Sequence, residues 1–237
     1  MGQRELTIIA QARTVLNDVT EPYRWTTKRL MELLEDGQKG MCENAPLIVS
    51  RATINTVPGQ ATYRLPGSSI KLIRASSSLG RIELTSYDAI EDFDTDWEDT
   101  YGNTVSRIIT NALDQQEIRP YPLTSESIAL KVAYQAIPVP LGWEEDDSIE
   151  ELTISDMWDD GLKQYVIGQA FLDYGDESSV SRAGTALGIY QSALSKAIKL
   201  AKKSFSKRVL TTKYQAKVAS NSRGDRYGNS CNNRFRY

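Results

Sequence analysis

Apolar residues follow a helical spacing at the two ends of the chain and a strand-like alternation between them. Ile9, Ala12, Leu16 and Val19 recur every three or four residues. This spacing predicts an amphipathic helix that ends before Pro22.

A second helix is predicted from about Thr26 to Met41. The Thr26 hydroxyl can cap the first turn, and Trp25, one residue earlier, can contact Leu30 as a hydrophobic staple. The chain therefore opens with a helical segment that ends near residue 45.

The period changes to that of β-strands after Pro46. Residues 48–57 are rich in β-branched side chains, Pro58 and Gly59 signal a turn, and residues 61–65 resume the strand, which together predict a hairpin. Further strands are predicted at residues 70–75, 81–84, 105–110, 116–119 and 128–136.

Two more helices are predicted after the strands. Ser155 can cap the first, which should end near Asp173. The second is predicted from about Ser179 to Val209; roughly thirty helical residues span about 45 Å. Because a compact domain of this size needs less, the far end should project toward a partner. From residue 211 the chain is polar and non-periodic, as a segment that orders only on a partner would be.

These elements predict an α+β protein. The helical segments at the two ends must bury their apolar faces, so we expect them to pack as one helical bundle, with a β-rich insertion between them and an extended C-terminal tail. The expected boundaries are residues 1–45 and 150–210 for the two parts of the bundle, 46–149 for the insertion and 211–237 for a basic docking tail.

The composition argues against an enzyme. The chain has no histidine, which is the commonest acid–base catalyst and metal ligand, and its two cysteines, Cys42 and Cys231, form no zinc motif. No glycine-rich phosphate-binding motif occurs. We therefore expect no catalytic residues, no metal and no cofactor. No apolar run reaches the length of a signal peptide or a membrane span, so we expect a soluble protein without membrane contact.

Charge is divided unevenly along the chain. Residues 196–237 contain twelve basic residues and one acidic residue, whereas residues 1–195 contain sixteen basic and thirty acidic residues. Such asymmetry is typical of an interaction tail.

Three uses of this basic tail are open: docking on an acidic protein surface, contact with nucleic-acid phosphates, and a solubilising end. Aromatic residues alternate with the cations, and a solubilising end does not need them, so protein docking is favoured. Arginine dominates after Lys217, and its guanidinium group pairs with carboxylates as well as phosphates. The candidate docking residues are Lys207, Arg208, Lys213, Tyr214, Lys217, Arg223, Arg226, Arg234, Phe235, Arg236 and Tyr237.

Two acidic runs lie outside the tail. Residues 87–99 predict a short helix followed by an exposed loop, and residues 144–151 predict a solvated loop. The second run lacks the central glycine and the alternating ligands of an EF-hand calcium loop. A glycosidase would need two carboxylates across a cleft, which sequence spacing cannot establish.

Three groups of residues, in a fixed order along the chain, carry a resemblance to a known family. They are Trp25-Thr26-x-x-x-Leu30-x-x-x-Leu34-x-Asp36-Gly37-Gln38 followed by Pro46; Arg119-Pro120-Tyr121-Pro122; and Gln164-Tyr165-Val166-Ile167-Gly168-Gln169-Ala170-Phe171-x-x-x-Gly175-Asp176 with Ala183-x-x-x-Leu187-x-x-Tyr190. In this order the chain resembles the head-to-tail adaptor (connector) proteins of short-tailed bacteriophages over about residues 5–210. It departs from them at residues 168–170, where a basic residue is usual.

The resemblance implies a structural virion protein without enzymatic activity. The adaptor proteins that the chain resembles form a ring, commonly of twelve copies, that links the capsid portal protein to the tail nozzle protein and lets double-stranded DNA pass. The resemblance therefore implies a location in the virion neck, and in the host cytoplasm during assembly. The alternative, from charge alone, is a sequence-independent nucleic-acid-binding protein that uses the basic tail.

Acidic side chains around a DNA channel would repel phosphates and keep the passage free. The candidates for such a lining, or for contact with a basic neighbour, are Asp92, Asp94, Asp96, Glu144, Glu145, Asp146 and Asp147.

Overall fold

The computed structural model describes residues 3–111, 113–141 and 151–224, with side chains described through Lys203. In these residues, helices from both ends of the chain lie together and the middle of the chain forms a curled β-sheet, which confirms the α+β class. The helices are α1 (Gln3–Leu16), α2 (Thr27–Asn44), α3 (Tyr87–Glu91), α4 (Asp159–Leu172) and α5 (Glu177–Gly224).

Local signals set the ends of the first two helices. Asn17 adopts a left-handed conformation with φ of 55°, its N–H donates to the Thr14 carbonyl (3.3 Å), and the Asp18 N–H donates to the Arg13 carbonyl (3.0 Å). This is a Schellman motif, and it stops α1 before the predicted position of Val19. The Thr26 hydroxyl accepts a hydrogen bond from the Arg29 N–H (3.2 Å), as predicted for the cap of α2.

The four long helices share one buried apolar cluster. Helix α4 packs against α1, α2 and α5. Glycine makes this close approach feasible, because a Cβ on Gly168 would lie 2.7 Å from the Leu187 side chain and one on Gly37 would lie 2.8 Å from the Tyr165 ring. The cluster includes Ile9, Ala12, Leu30, Leu34, Met41, Leu162, Val166, Ile167, Tyr190 and Leu194.

Two ion pairs lie within this helical layer, one between distant parts of the chain and one local. Arg4 pairs with Asp159 at 2.5 Å and also donates to the Ile154 carbonyl at 2.8 Å. Arg13 pairs with Asp18 at 2.6 Å, with both side chains buried. Because each guanidinium group bonds to a carboxylate, neither positive charge is left unpaired within the helical layer.

The predictions for the last two helices need correction. Ser155 makes no capping hydrogen bond and its hydroxyl bonds to the Asp156 side chain instead, so a 3-10 turn at 156–158 precedes α4. Helix α5 does not end at Val209, because its backbone continues through the predicted tail boundary to Gly224. Residues 189–223 contain no glycine or proline, so nothing in this stretch stops a helix.

The strands form a seven-stranded sheet in the order β1-β9-β3-β4-β6-β7-β2 and a small two-stranded sheet of β5 and β8. Only β4 with β6 and β5 with β8 are parallel pairs among the described strands. The strands are β1 (Val49–Asn55), β2 (Tyr63–Arg64), β3 (Ser69–Ser77), β4 (Gly80–Thr85), β5 (Tyr101–Gly102), β6 (Arg107–Thr110), β7 (Glu117–Tyr121), β8 (Leu123–Thr124) and β9 (Ala129–Ala136).

The predicted hairpin of residues 48–57 and 61–65 is wrong. Strand β1 pairs over seven residues with β9, and the two-residue β2 pairs with β7. Strand β2 is too short to pair along the whole of β1. Strand β9 matches the length of β1, so the first and last strands of the insertion pair with each other. The other five predicted strands and the short helix at 87–91 are confirmed.

One face of the sheet is apolar and the C-terminal end of β9 meets the helices. Leu72, Leu130, Val132 and Tyr134 lie in the apolar cluster of this inner face. The Gln135 side-chain amide donates to the carbonyls of Cys42 and Glu43 at the end of α2. The sheet is thereby fixed to the helical layer through the end of β9.

Candidate interaction surfaces

The first acidic run forms a defined surface feature over strands β6 and β7. Residues 87–100, called the acidic loop below, place Ile90 and Trp97 on Ile109 and Tyr121 in a separate small apolar cluster. Burial of Ile90 and Trp97 therefore holds the loop against the outer face of the sheet.

The cations beneath the acidic loop are all engaged. The Arg107 guanidinium lies 3.8 Å from the Phe93 ring centroid, and its Nε lies 3.3 Å from Glu83. The Arg119 guanidinium lies 4.3 Å from the Trp97 ring centroid and bonds to Glu98. This half of the outer face, called the covered half, pairs each arginine with both a ring and a carboxylate.

The three candidate acids in this loop have different surroundings. Asp94 accepts hydrogen bonds from the Tyr121 hydroxyl (2.8 Å), the Thr100 hydroxyl (3.0 Å) and the Asp96 N–H (3.0 Å). The bond from Tyr121 lowers the pKa of the Asp94 carboxyl and raises the pKa of the Tyr121 hydroxyl. Asp94 thus holds the loop together, whereas Asp92 and Asp96 are exposed and form no ion pair with any described residue.

The second acidic run lies outside the described residues. Glu144, Glu145, Asp146 and Asp147 belong to residues 142–150, so their predicted role as a lining or contact stays a prediction.

The candidate docking residues of the tail lie on helix α5 or beyond it. Lys207, Arg208, Lys213, Tyr214, Lys217 and Arg223 are on its helical backbone, in the part whose side chains are not described. Arg226, Arg234, Phe235, Arg236 and Tyr237 lie outside the described residues. The cationic character begins earlier on the same helix, because Lys196 and Lys199 are exposed beside a shallow depression of about 480 Å³.

The sequence reasoning missed a second cationic surface. The outer faces of β1, β9 and β3 carry Arg51, Lys131 and Arg74, and all three side chains are exposed. We call this the bare half of the outer face, because no described residue forms an ion pair with any of the three. A depression of about 560 Å³ lies among them.

Register explains why these cations share a face. Arg51 and Arg74 both pair with Ala133, and Lys131 pairs with Thr53 and Ser76. A register shift between Leu72 and Arg74 lets Leu72 face the core while Arg74 faces outward. Strict alternation along β3 would put both on one face, so only Arg51 and Lys131 could have been placed from the sequence pattern.

Two buried ionisable side chains have strongly raised pKa values. Burial raises the pKa of the Cys42 thiol to about 12 and that of the Tyr190 hydroxyl to about 12. Among the residues with described side chains, no group of three potential metal ligands occurs. Within the same range, no helix is long and apolar enough to cross a membrane. Cys231 lies outside the described residues.

Comparisons with known proteins give a family. No curated protein matches the chain significantly. The sequence model described as SU10 adaptor protein matches residues 5–216, which include all five helices at least in part and every strand of the sheet. This family consists of phage adaptor proteins, which are structural components of the virion and typically not enzymes. The chain therefore belongs to the SU10 adaptor protein family.

Proposed function

We propose that the protein is a ring-forming adaptor that links the portal protein of a phage capsid to the tail nozzle protein and allows double-stranded DNA to pass. The ring, commonly of twelve copies in such proteins, would lie in the virion neck after assembly in the host cytoplasm. The family membership supports the structural role. The shape and charge of helix α5 support the link to the portal.

Helix α5 is the observation that carries this proposal. Its last buried residue among the described side chains is Ala197, yet its backbone is helical to Gly224. Those further residues extend about 40 Å at 1.5 Å per residue. Because this extension carries most of the cations of the basic tail, it is suited to an acidic surface on another protein.

Each part of the chain would then make a different contact. The helical bundle formed by α1, α2, α4 and the first half of α5 contacts neighbouring subunits, and the β-rich insertion faces the tail. The rest of α5 and the residues after it bind the portal. Segments that order on a partner can couple docking to assembly, since binding shifts the association equilibrium.

Two truncated chains test the docking role. A chain that ends at Gly224 lacks Arg226, Arg234 and Arg236, and a chain that ends at residue 210 also lacks Lys213, Lys217 and Arg223. Each step thus removes three cations, but only the second shortens α5. We expect co-sedimentation with portal rings to weaken at each step, by roughly tenfold or more for the shorter chain.

Circular dichroism of both truncated chains provides the folding control, because the buried cluster of the helical layer ends at Ala197. Undiminished portal binding by the chain ending at residue 210 would contradict the docking role. Loss at the second step alone would assign docking to the helix rather than to the last residues.

The second candidate function is sequence-independent nucleic-acid binding through the same tail, which the twelve cations of residues 196–237 favour. Binding of duplex DNA would then weaken steeply with salt, because each phosphate contact releases counterions. DNA retention that is absent, or that does not change with salt, removes this candidate.

A further inference from the structure

The outer face of the sheet has two unequal halves. In the covered half, Arg107 and Arg119 each meet an aromatic ring and a carboxylate of the same chain. In the bare half, Arg51, Arg74 and Lys131 have neither among the residues with described side chains. Three neighbouring cations without acids repel one another, so this half is suited to an anionic partner.

The shape of the bare half adds a requirement. Ala133 lies between Arg51 and Arg74, which are two strand spacings apart, about 10 Å. Its small side chain leaves the depression of about 560 Å³, which Val49 and Ile73 also line. An apolar floor between two guanidinium groups fits an aromatic side chain flanked by carboxylates.

The acidic loop of the same chain has this composition. Phe93 is 61% exposed although Arg107 lies over one of its faces. The acids around it are exposed and form no ion pair with described residues: Asp88, Glu91, Asp92, Asp96 and Asp99.

We propose that the acidic loop of one copy docks on the bare half of the neighbouring copy, with Phe93 over Ala133 and carboxylates beside Arg51, Arg74 and Lys131. The inference rests on the proposed ring and adds a contact made by the β-rich insertion to the subunit contacts of the helical bundle. The loop lies over β6 and β7 and the bare half lies at the β1 end of the strand order. Such a contact joins two different patches, and repeated head to tail with rotation it closes a ring.

A phosphate backbone fits this surface less well. Thr53, Ser76 and the three cations at the depression could bond to phosphate oxygens, but its apolar side chains would stay without a contact. A phenyl ring instead gains from both the apolar side chains and the flanking arginines. Nucleic acid is accordingly an outcome of the test and not part of the proposal.

Charge reversal on each side tests the contact. One chain carries Arg51→Glu with Arg74→Glu, a second carries Asp92→Arg with Asp96→Arg, and a third carries all four changes. The third has the net charge of the native chain and is the matched control. With full-length chains and portal rings, we expect assembly by sedimentation velocity to weaken roughly tenfold for the first two and to return within about threefold for the third.

Phe93 is tested separately. Phe93→Ala should weaken assembly on portal rings, and Leu113→Ala, at a side chain that is 98% exposed, should not. If both variants assemble like the native chain, Phe93 is not the anchor and the proposed geometry is wrong.

Carbodiimide cross-linking identifies the partners directly. In a mixture of ¹⁴N- and ¹⁵N-labelled chains on portal rings, Lys131 should join Asp92 or Asp96 between light and heavy chains. A Lys131 cross-link to Glu144, Glu145, Asp146 or Asp147, or links only within one chain, would overturn the contact. So would loss of DNA retention in the first variant with unchanged ring assembly, which would assign the bare half to nucleic acid.

These outcomes separate the contact from the proposed function. Suppose that chains form rings on the portal, but the variant with all four changes does not regain assembly and no cross-link joins two chains. The contact is then wrong and the adaptor role stands. If no assembly occurs with portal rings under any condition, both are wrong.

Discussion

Two arginine side chains of the helical layer are paired with carboxylates, whereas those on the bare half of the sheet are not. Arg4 and Arg13 lie among the helices, and each bonds to a carboxylate and to at least one backbone carbonyl of the same chain. Arg51 and Arg74 lie on the bare half of the sheet without an ion pair to any described residue. The helical layer therefore uses these charges within the chain, while the bare half keeps its charges available for another molecule.

The largest expected effect is in the buried pair of the helical layer. Asp18→Ala removes the carboxylate that bonds to Arg13 and to the Arg24 N–H and leaves the guanidinium buried and unpaired. We expect a loss of about 3–5 kcal/mol in the free energy of unfolding, measured by urea denaturation. Glu32→Ala, which removes an exposed pair with Arg29, is the control and should change it by less than about 1 kcal/mol. Equal effects would contradict the contrast between buried and exposed pairs.

Helix contacts give the next effect. Gly168→Ala would place a Cβ 2.7 Å from Leu187 and should destabilise the chain by about 1–3 kcal/mol, because two helices must move apart. Gly188→Ala meets nothing within 4 Å on the exposed side of α5 and should stabilise it by up to about 1 kcal/mol. A lower melting temperature for the first variant and a higher one for the second would confirm that Gly168 lies at a packed helix contact and Gly188 faces open space. Destabilisation by both would show that the outer side of α5 is also occupied within the chain.

Tyr121→Phe sharpens the comparison within the sheet. The hydrogen bond from Tyr121 lowers the pKa of Asp94, so its contribution is present above the unfolded pKa of aspartate and is lost as pH falls through the lowered folded pKa. We expect Tyr121→Phe to reduce the free energy of unfolding at pH 7 by less than Asp18→Ala does. The difference from the native chain should shrink below about pH 4. A difference that is constant down to pH 2 would mean that the bond is not made to the ionised carboxylate.

The smallest effect is expected on the bare half. Arg74→Gln should change the free energy of unfolding by no more than about 0.5 kcal/mol, since it removes no pair within the chain. Arg119→Gln is the matched change in the covered half and should cost more, because Arg119 lies over Trp97 and bonds to Glu98. Urea denaturation of both variants measures the difference. A larger loss for Arg74→Gln would show a partner within the chain.

Periodicity was sufficient for elements whose contacts are local. The helix that begins at Thr27 and five of the strands lie where their apolar spacing predicts them. Membership of a phage adaptor family could also be inferred from ordered motifs, although the match does not extend to the connectors of short-tailed phages in particular. Within these motifs, Gly37 and Gly168 have a physical reason, because both lie at close helix contacts.

Features that depend on distant pairing were not predictable in this way. The partner of β1 is decided by β9, about eighty residues later, and a bulge beside Ile73 turns Arg74 outward. Asp94 looked equivalent to Asp92 and Asp96 in sequence, but Tyr121 on β7 selects it for a structural role. Polar composition predicts an end of α5 near Val209, but no glycine or proline stops the helix before Gly224.

Sedimentation velocity of the full-length chain with and without portal rings of the same phage tests the adaptor role most directly. The proposed function predicts that the chain moves with the portal as a ring of many copies. A chain that sediments at the size of a single copy at every portal concentration would contradict it.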